Sequence, residues 1–539
     1  MLNIAFFSDL HNNQYYMNVV TDSIEALSEG MELDALALVG DIIYLDTNVL
    51  PSHESYSRLN ANKLYTKMKN EGKLIFALGN HEFTLWMEGE EIKTLSRKTF
   101  TDETGLLPEM DTVIKGYHFI TAGPADYAGT PSKEIEAFIK EKVTLALEES
   151  DKPVFLLVHF PIDNTLCGTE KAHSYTEEFR EFIINEPRVI IISGHYHFPN
   201  SDPRTITQVE GGATFFHTST IMGGNGLSLP TATERHAEYP TQGFMLRVDE
   251  ETNDVTIKPF YASEKEPSYL ENAEFVIKRG VYNYTDKRAE KSGKPYFAKG
   301  STLRVDSVSD VDATVTFPAA LPADAGMDSI VAYYDIELID KTTGDSLKKH
   351  RIISDFFLKN KREDYTYTLF DLDPSTEYEV KVSPVTSWYV LGDSISTELK
   401  TAEPKFFDVP LDNENAIVKG IFESVITGSR TAYSNLIHIG SGWECSVEHT
   451  VDIKEAGTYR IFLKSSAKGA VDAAIRVKKD GAVILEDTVI INTGNIHVYK
   501  DIICADAEIK EAGGYNIEFS FKDGKNTVGI QGITVTKHI

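Results

Sequence analysis

Leu74-Ile75-Phe76-Ala77-Leu78-Gly79-Asn80-His81-Glu82 is the stretch whose reading decides the fold. Its apolar run reads as a buried parallel strand, so Gly79 to Glu82 fall at a strand's carboxyl end, where open α/β sheets place their chemistry. Gly-Asn is also ordinary turn chemistry. By itself, then, the tetrapeptide offers either a strand-to-loop turn or an Asn and a His presented together to a metal and a substrate. Four other strand ends in the first half of the chain carry matching polar residues, and they decide the matter.

Upstream, the apolar run Leu33 to Val39 ends in Gly40-Asp41. Asp41 is the best candidate for a carboxylate bridging two metals, because the glycine before it lets the backbone turn sharply at the sheet's end; the bland alternative is a helix N-cap or turn aspartate. Before it, after a strand Ile4 to Ser8, stand Asp9-Leu10-His11, and a helical stretch runs from about Tyr15 to Glu29. Two residues apart on extended chain, Asp9 and His11 are expected to point the same way and reach one ion.

Downstream, a helix is expected over Lys133 to Glu149. The run Pro153 to Val158 then ends in His159-Phe160-Pro161, and Arg188 to Ile192 ends in Ser193-Gly194-His195-Tyr196-His197. A His-x-His pair on extended chain can hold one metal or split between two. Oxygen and imidazole ligands around a shared carboxylate suit Mn, Fe, Zn, Ni or Co, and the absence of thiolates argues against a structural zinc.

The ordered set Asp9-x-His11, Gly40-Asp41, Gly79-Asn80-His81-Glu82, His159 and Gly194-His195-x-His197 resembles the calcineurin-like metallophosphoesterase superfamily, over residues 1 to about 262. The resemblance implies a two-sheet αββα sandwich with a binuclear centre on the loops at the sheet edges. It implies that Asp9, His11, Asp41 and His197 hold the first metal, and that Asp41, Asn80, His159 and His195 hold the second. Two divalent or trivalent cations would activate water for in-line attack on a phosphate ester and neutralise charge in the transition state. His81 receives no metal in this scheme. Its implied role is to donate a proton to the leaving oxygen or to hydrogen-bond the phosphoryl group. Glu82 is expected to support the loop or orient a neighbour.

Two departures narrow the subfamily. Asp41-Ile42-Ile43-Tyr44 has the spacing with which purple acid phosphatases place a tyrosinate on ferric iron, but those enzymes carry glycine where this chain has His11, so Tyr44 is expected to pack or line the pocket. Ser/Thr protein phosphatases follow the second aspartate with Asp-Arg-Gly, whereas Asp46-Thr47-Asn48 stands here without the arginine. The Asp-x-His form of the first block resembles the diesterase branches, so a phosphodiester is favoured, cyclic nucleotides and small extracellular esters included. The alternatives are a phosphomonoesterase or nucleotidase-type hydrolase, and a non-catalytic surface-binding protein using the fold as a platform. The last would show lost ligands, and none is lost. Substrate contacts would come from the insertions 46–70, 85–110 and 165–177 and their surroundings, with Asn12, His53, Arg97, Lys171, His173 and Tyr175 as candidates. The domain is expected to close with a hairpin, Phe244 to Val248 against Val255 to Tyr261; His217 carries no recognised role.

Beyond a connector at 263–300 the pattern changes to short alternating strands at regular spacing. Residues 301–402, with Leu372-Asp373-Pro374-Ser375-Thr376-Glu377-Tyr378, resemble a fibronectin type III domain with Tyr378 as its corner tyrosine, a module that usually serves as a spacer. In residues 403–539 two similar phrases, Glu455-Ala456-Gly457-Thr458-Tyr459 and Glu511-Ala512-Gly513-Gly514-Tyr515, each lead into an alternating strand. This unit resembles a jelly-roll carbohydrate-binding module, and Tyr433, Trp443 and Tyr499 could stack on a sugar or pack in the sandwich. The fold class is therefore multidomain, an αββα sandwich followed by two all-β sandwiches.

Composition sets the outer limits. The 539 residues are too many for one core. A balance of 53 Lys and Arg against 82 Asp and Glu, net −29, repels polyanions and disfavours nucleic acid as a partner. No window approaches the roughly 20 apolar residues of a membrane-spanning helix. The opening Met1 to Asp9 moves at once into a strand and leaves no room for a signal peptide. Even so, sandwich modules attached to an enzyme fit a bacterial secreted or surface-attached hydrolase, with a removed leader; a cytoplasmic protein is the alternative. Of three cysteines, Cys167, Cys445 and Cys504, the last two are the expected pair if any bridge forms.

Overall fold

The computed structural model describes residues 1–538 apart from positions 29, 44–55, 57, 84, 89–90, 95–96, 126–128, 130, 167–168, 170–174, 223–225, 310–311, 371, 403–407, 413–415, 421–423, 427–435, 440–443, 468, 494 and 522–525. Tyr44, Asp46 to Asn48, His53, Cys167, Lys171, His173, Tyr433 and Trp443 lie outside the described residues.

The first unit contains strands β1 (Leu2–Phe7), β2 (Ala35–Val39), β3 (Leu74–Ala77), β4 (Leu85–Glu88), β5 (Glu91–Thr94), β6 (Glu109–Ile114), β7 (Tyr117–Ala122), β8 (Val154–Val158), β9 (Val189–Ser193), β10 (Ile206–Gln208) and β11 (Thr214–His217). It is completed by β12 (Gln242–Val248), β13 (Val255–Tyr261), β14 (Ser268–Tyr269) and β15 (Phe275–Ile277). Continuous apolar runs such as Ala35–Val39 and Val154–Val158 are buried throughout, as strands covered on both faces must be.

One sheet has the order β14-β13-β12-β1-β2-β3, with β15 also on β13; the other has the order β10-β11-β9-β8-β7-β6. Their inner faces meet in one apolar layer in which Phe6 stacks on Phe244 at 4.6 Å and Phe119 on Phe155 at 4.7 Å. The outer face of the first sheet is covered by the helices Gln14–Leu27 and Lys63–Asn70, through Met17, Val20, Ile24 and Met68. The outer face of the second is covered by Lys133–Glu149 and Glu177–Ile184, through Ile139, Val143 and Phe179. This is an αββα sandwich. Its helices start at side-chain caps, Asn13 accepting from the Tyr16 N–H and Ser132 from the Ile135 N–H.

The hairpin β12–β13 pairs Phe244 with Pro259 and Val248 with Val255, as expected. The stretch expected as a connector adds β14 and β15 to the first sheet before a 3-10 turn at Asp286–Lys291.

Residues 304–400 form an antiparallel sandwich of a three-stranded and a four-stranded sheet. Tyr378 Oη accepts the Asp373 N–H at 2.8 Å, the backward bond a corner tyrosine makes. The C-terminal sandwich pairs a six-stranded with a five-stranded sheet around a core including Val447, Ile461, Ile475 and Phe519. Its two repeated phrases build the same turn: Tyr459 Oη donates to the Glu455 carbonyl at 2.9 Å and Tyr515 Oη to the Glu511 carbonyl at 2.8 Å. Cys445 and Cys504 are free and buried, and they belong to strands of opposite sheets, Cys445–Ile453 and Asn495–Ile509. The expected bridge is not formed. Among the described residues no helix is long and apolar enough to cross a membrane.

Candidate metal centre

Five strands, β1, β2, β3, β8 and β9, point their carboxyl ends at one place. The chain leaves them through tight turns: Gly40 has φ 82°, and Asp41 (52°), Asp9 (52°), His11 (49°), His195 (73°) and His197 (54°) are left-handed as well. Asp9-x-His11 and His195-x-His197 therefore do not meet by alternation along extended chain, as the sequence suggested. Cross-loop bonds impose the left-handed turns: the Asp9 N–H donates to the Gly40 carbonyl at 3.0 Å, and the Leu10 and His11 N–H groups both donate to the Asp41 carbonyl, at 2.9 and 3.0 Å. Such strained positions among non-glycine residues concentrate at functional sites.

The side chains fall into three groups whose ligand atoms lie within 4.8 Å of one another: Asp9, His11 and His197; His11, Asp41 and His81; and Asp41, His159 and His195. His197 Nε2 is 3.1 Å from Asp9 Oδ1, His159 Nε2 is 3.0 Å from Asp41 Oδ2, and His11 Nε2 is 3.2 Å from His197 Nε2. Each carboxylate keeps one oxygen for the site and gives the other to the scaffold. Asp41 Oδ1 accepts the His81 N–H at 2.9 Å. Asp9 Oδ2 accepts from Ser8 Oγ and, at 3.3 Å, from the His195 N–H. His159 Nδ1 lies 2.8 Å from the Val39 carbonyl, which fixes the tautomer that offers Nε2.

This donor set fits cations. Asn80 Oδ1 is buried with no hydrogen-bond partner among the described residues, a costly position that a metal would satisfy. Asp41 and His11 each belong to two of the three groups, and of these Asp41 is the carboxylate, the group able to bridge two cations.

Comparison with known families supplies the next observation: residues 2–199 match the family model of the calcineurin-like phosphoesterases. The N-terminal unit is a calcineurin-like phosphoesterase domain. As such it is a metallophosphoesterase, a hydrolase of phosphate esters. No curated protein matches the chain. Among solved structures, a family 35 carbohydrate-binding module from Clostridium thermocellum aligns at 16% identity over 24% of this chain and 99% of its own, with TM-score 0.21. The C-terminal family 6 module of a marine laminarinase from Zobellia galactanivorans aligns at 16% identity over 24% and 100%, with TM-score 0.20.

Electrostatics in the phosphoesterase site follow from burial and pairing. Burial alone would raise the Asp41 carboxyl, but the His159 imidazole, with His81 and His11 beyond it, holds it well below the usual carboxylate range. Burial would likewise raise Asp9, and His197 holds it at about 2. Burial lowers His159, yet the Asp41 charge outweighs that and takes it to about 10, while burial takes His11 down to about 4. Short carboxylate–imidazole contacts of this kind mark places where positive charge is wanted.

Glu82 supports the loops, as expected, and the structure shows how. Its carboxylate accepts four backbone N–H groups: Asp41 at 3.0 Å, Ile42 at 2.8 Å, Ile43 at 3.1 Å and Gly79 at 2.6 Å. It thereby ties the loop after β2 to the loop after β3. Burial and the Asp41 charge push it up to about 7, against the pull of those N–H donors.

The sequence reading missed a sixth strand end. Beyond β11, which ends at His217, stand Thr218-Ser219-Thr220, all buried. Thr218 Oγ1 meets Ser8 Oγ, and Thr220 Oγ1 donates to the Asp9 carbonyl at 3.0 Å. The signal was a run of polar residues directly after a strand, overlooked because it carries hydroxyls where the other ends carry carboxylates and imidazoles. Of the proposed substrate contacts, Arg97 is spent on Glu109 and, at 2.8 Å, the Pro124 carbonyl. Tyr175 stacks on Phe179. Tyr175 also lines a small cavity with His159 and Phe160. Asn12 remains beside His11, left-handed at φ 59°.

Proposed function

We propose that the N-terminal domain hydrolyses a phosphodiester at two divalent or trivalent ions, held by Asp9, His11, Asp41 and His197 and by Asp41, Asn80, His159 and His195. The observation that carries this is the sharing of Asp41 between ligand groups, beside the orphaned Asn80 oxygen. Mn, Fe, Zn, Ni or Co suits the donors. Ions there would supply a nucleophile at neutral pH and offset phosphoryl charge. His81, at the rim with its Nε2 3.9 Å from Asp41 Oδ2, is positioned to hydrogen-bond the phosphoryl group or protonate the leaving oxygen. The preference for diesters rests on the resemblance of the Asp9-x-His11 block to the diesterase branches of the family.

The middle unit is read as fibronectin type III-like. The C-terminal sandwich is read as a module holding the enzyme near a glycan or another cell-surface ligand outside the cell. Tyr499, the one described aromatic candidate there, is half-buried, with its hydroxyl against Gly529, and lies outside the sandwich's apolar core. No retention on any glycan array would refute that role.

The deciding experiment is hydrolysis of paired aryl phosphate monoesters and diesters by metal-stripped protein, with each metal added back singly. Diester turnover restored by metal is the expected result. Faster monoester turnover would move the enzyme to the monoesterase reading. In Asp41→Asn, turnover is expected to fall to background and metal affinity by more than roughly 100-fold, beyond what loss of an outer partner costs; near-normal kcat would remove the proposal.

A further inference from the structure

The segment that leaves His197 does not run free over the surface. Phe198 and Leu229 share an apolar cluster with Tyr333, Phe357 and Val385 of the middle sandwich. Asp202 and Arg204 form a bidentate pair, at 2.9 and 2.8 Å, with both side chains almost wholly buried. The middle sandwich completes the pair: Arg204 Nη2 donates to Tyr333 Oη at 3.1 Å, and Ser387 Oγ donates to Asp202 Oδ2 at 3.1 Å. The guanidinium carbon lies 5.5 Å from the Phe198 ring and 5.2 Å from the Tyr389 ring. A second strut passes through Gln242, whose Oε1 accepts the Asn200 N–H at 2.8 Å while its Nε2 donates to the Phe357 carbonyl at 3.1 Å.

A spacer on a hinge would leave such groups to water. A buried ion pair is tolerated when its remaining polar atoms find partners, and here the middle sandwich supplies two of them, Tyr333 Oη and Ser387 Oγ. The apolar cluster and the ion pair therefore fix the middle sandwich against the phosphoesterase domain, contrary to the spacer expected from its sequence. The clamped segment begins one residue after His197, which presses the consequence onto the ligands.

We propose that the middle sandwich is part of the metal centre's scaffold: Tyr333, Ser387 and Phe357 hold the segment 198–205 and thereby position His195 and His197. Tyr333 and Ser387 are positioning residues, acting through Asp202 and Arg204. The proposal rests on the metal reading for what is positioned, though not for the clamp itself.

The test uses the full chain. Tyr333→Phe and Ser387→Ala, singly and combined, remove the two hydroxyls and keep the packing. Tyr367→Phe, which loses a 2.7 Å bond to Glu234 at the exposed rim of the same interface, is the control. Two readouts are taken: amide hydrogen exchange of metal-free protein over residues 193–205, and Mn and Zn affinity by chelator competition. The double variant is expected to exchange faster over 193–205 and to bind metal roughly 10-fold more weakly, the lower end of the cost of losing an outer partner. Excess metal should restore its turnover, and the control should match the parent in every measurement. Parental exchange and affinity in the double variant would overturn the proposal. Parent protein that binds no metal would sink the metal reading, while the exchange data would still decide the clamp. If the double variant fails to fold, Tyr333→Phe alone carries the same comparison.

Discussion

Adding a single methyl group at Gly40 probes how the end of β2 holds the site. Gly40 has φ 82°, and a Cβ there would lie 2.4 Å from His159 Nδ1, 2.6 Å from its Cγ and 2.8 Å from its Cβ. The left-handed backbone costs an alanine about 1–2 kcal/mol. Forcing a methyl into a packed site costs roughly 1–3 kcal/mol more, so Gly40→Ala should lose about 2–5 kcal/mol. The His159 ring cannot give way cheaply, because its Nδ1 faces the Val39 carbonyl at 2.8 Å and its Nε2 faces Asp41 at 3.0 Å. Any shift that relieves the methyl displaces a residue we propose as a metal ligand. Gly72→Ala isolates that contact: Gly72 has φ 67° but nothing within 4 Å of its Cβ position, so it carries the backbone strain alone. Calorimetry of the full chain reads both variants, with the phosphoesterase transition identified as the one that added Mn raises. At about 2–4 °C per kcal/mol for a domain of this size, the expected falls are roughly 10 °C for Gly40→Ala and about 4 °C for Gly72→Ala. Metal stoichiometry should drop only in the first. Equal melting shifts, with both metals retained by Gly40→Ala, would refute the argument that His159 is locked by its two partners.

Stripping metal with a chelator should lower the phosphoesterase transition and leave that of the C-terminal sandwich in place; a free ion at 1,000 times its Kd contributes about 4 kcal/mol, and two unmoved transitions would argue against a metal centre. Acid should loosen the seam between the first two domains at Asp355. Burial alone would raise that carboxyl, but bonds from Arg362 and His236 outweigh burial and hold it below its ordinary value. A depressed carboxylate contributes stability that is full above the unfolded pKa of about 4 and lost as pH falls through the folded value. Melting temperature should therefore decline below about pH 4 in the parent, and the decline should be shallower in Asp355→Asn; parallel curves would dismiss the pair.

The candidate ligands stood out in the sequence because two patterns coincide there: an apolar run long enough to be a buried strand, then residues able to bind a metal. Their geometry was not legible, since the left-handed turns at Asp9 and His11 are imposed by carbonyls of Gly40 and Asp41, on another strand. Hydroxyl support from Thr218 and Thr220 escaped notice for a chemical reason. Serine and threonine are common in any turn, so only the three-dimensional fact that β11 lies beside β9 distinguishes these two. The middle sandwich was misread for a reason of distance. Arg204 and Tyr333 are 129 residues apart, and Asp202 and Ser387 are 185 apart. Nothing local separates an Asp-Pro-Arg that caps a surface turn from one that is buried beneath a second domain. The same physics places both in the fold, however. An ion pair at Asp202 and Arg204 needs no further partner in water, whereas under the sandwich it draws on Tyr333 and Ser387, so these polar residues help bind the second domain to the first. The phosphoesterase chemistry and the docking of its neighbour thus meet within the ten residues from His195 to Arg204, and a single substitution there should disturb both.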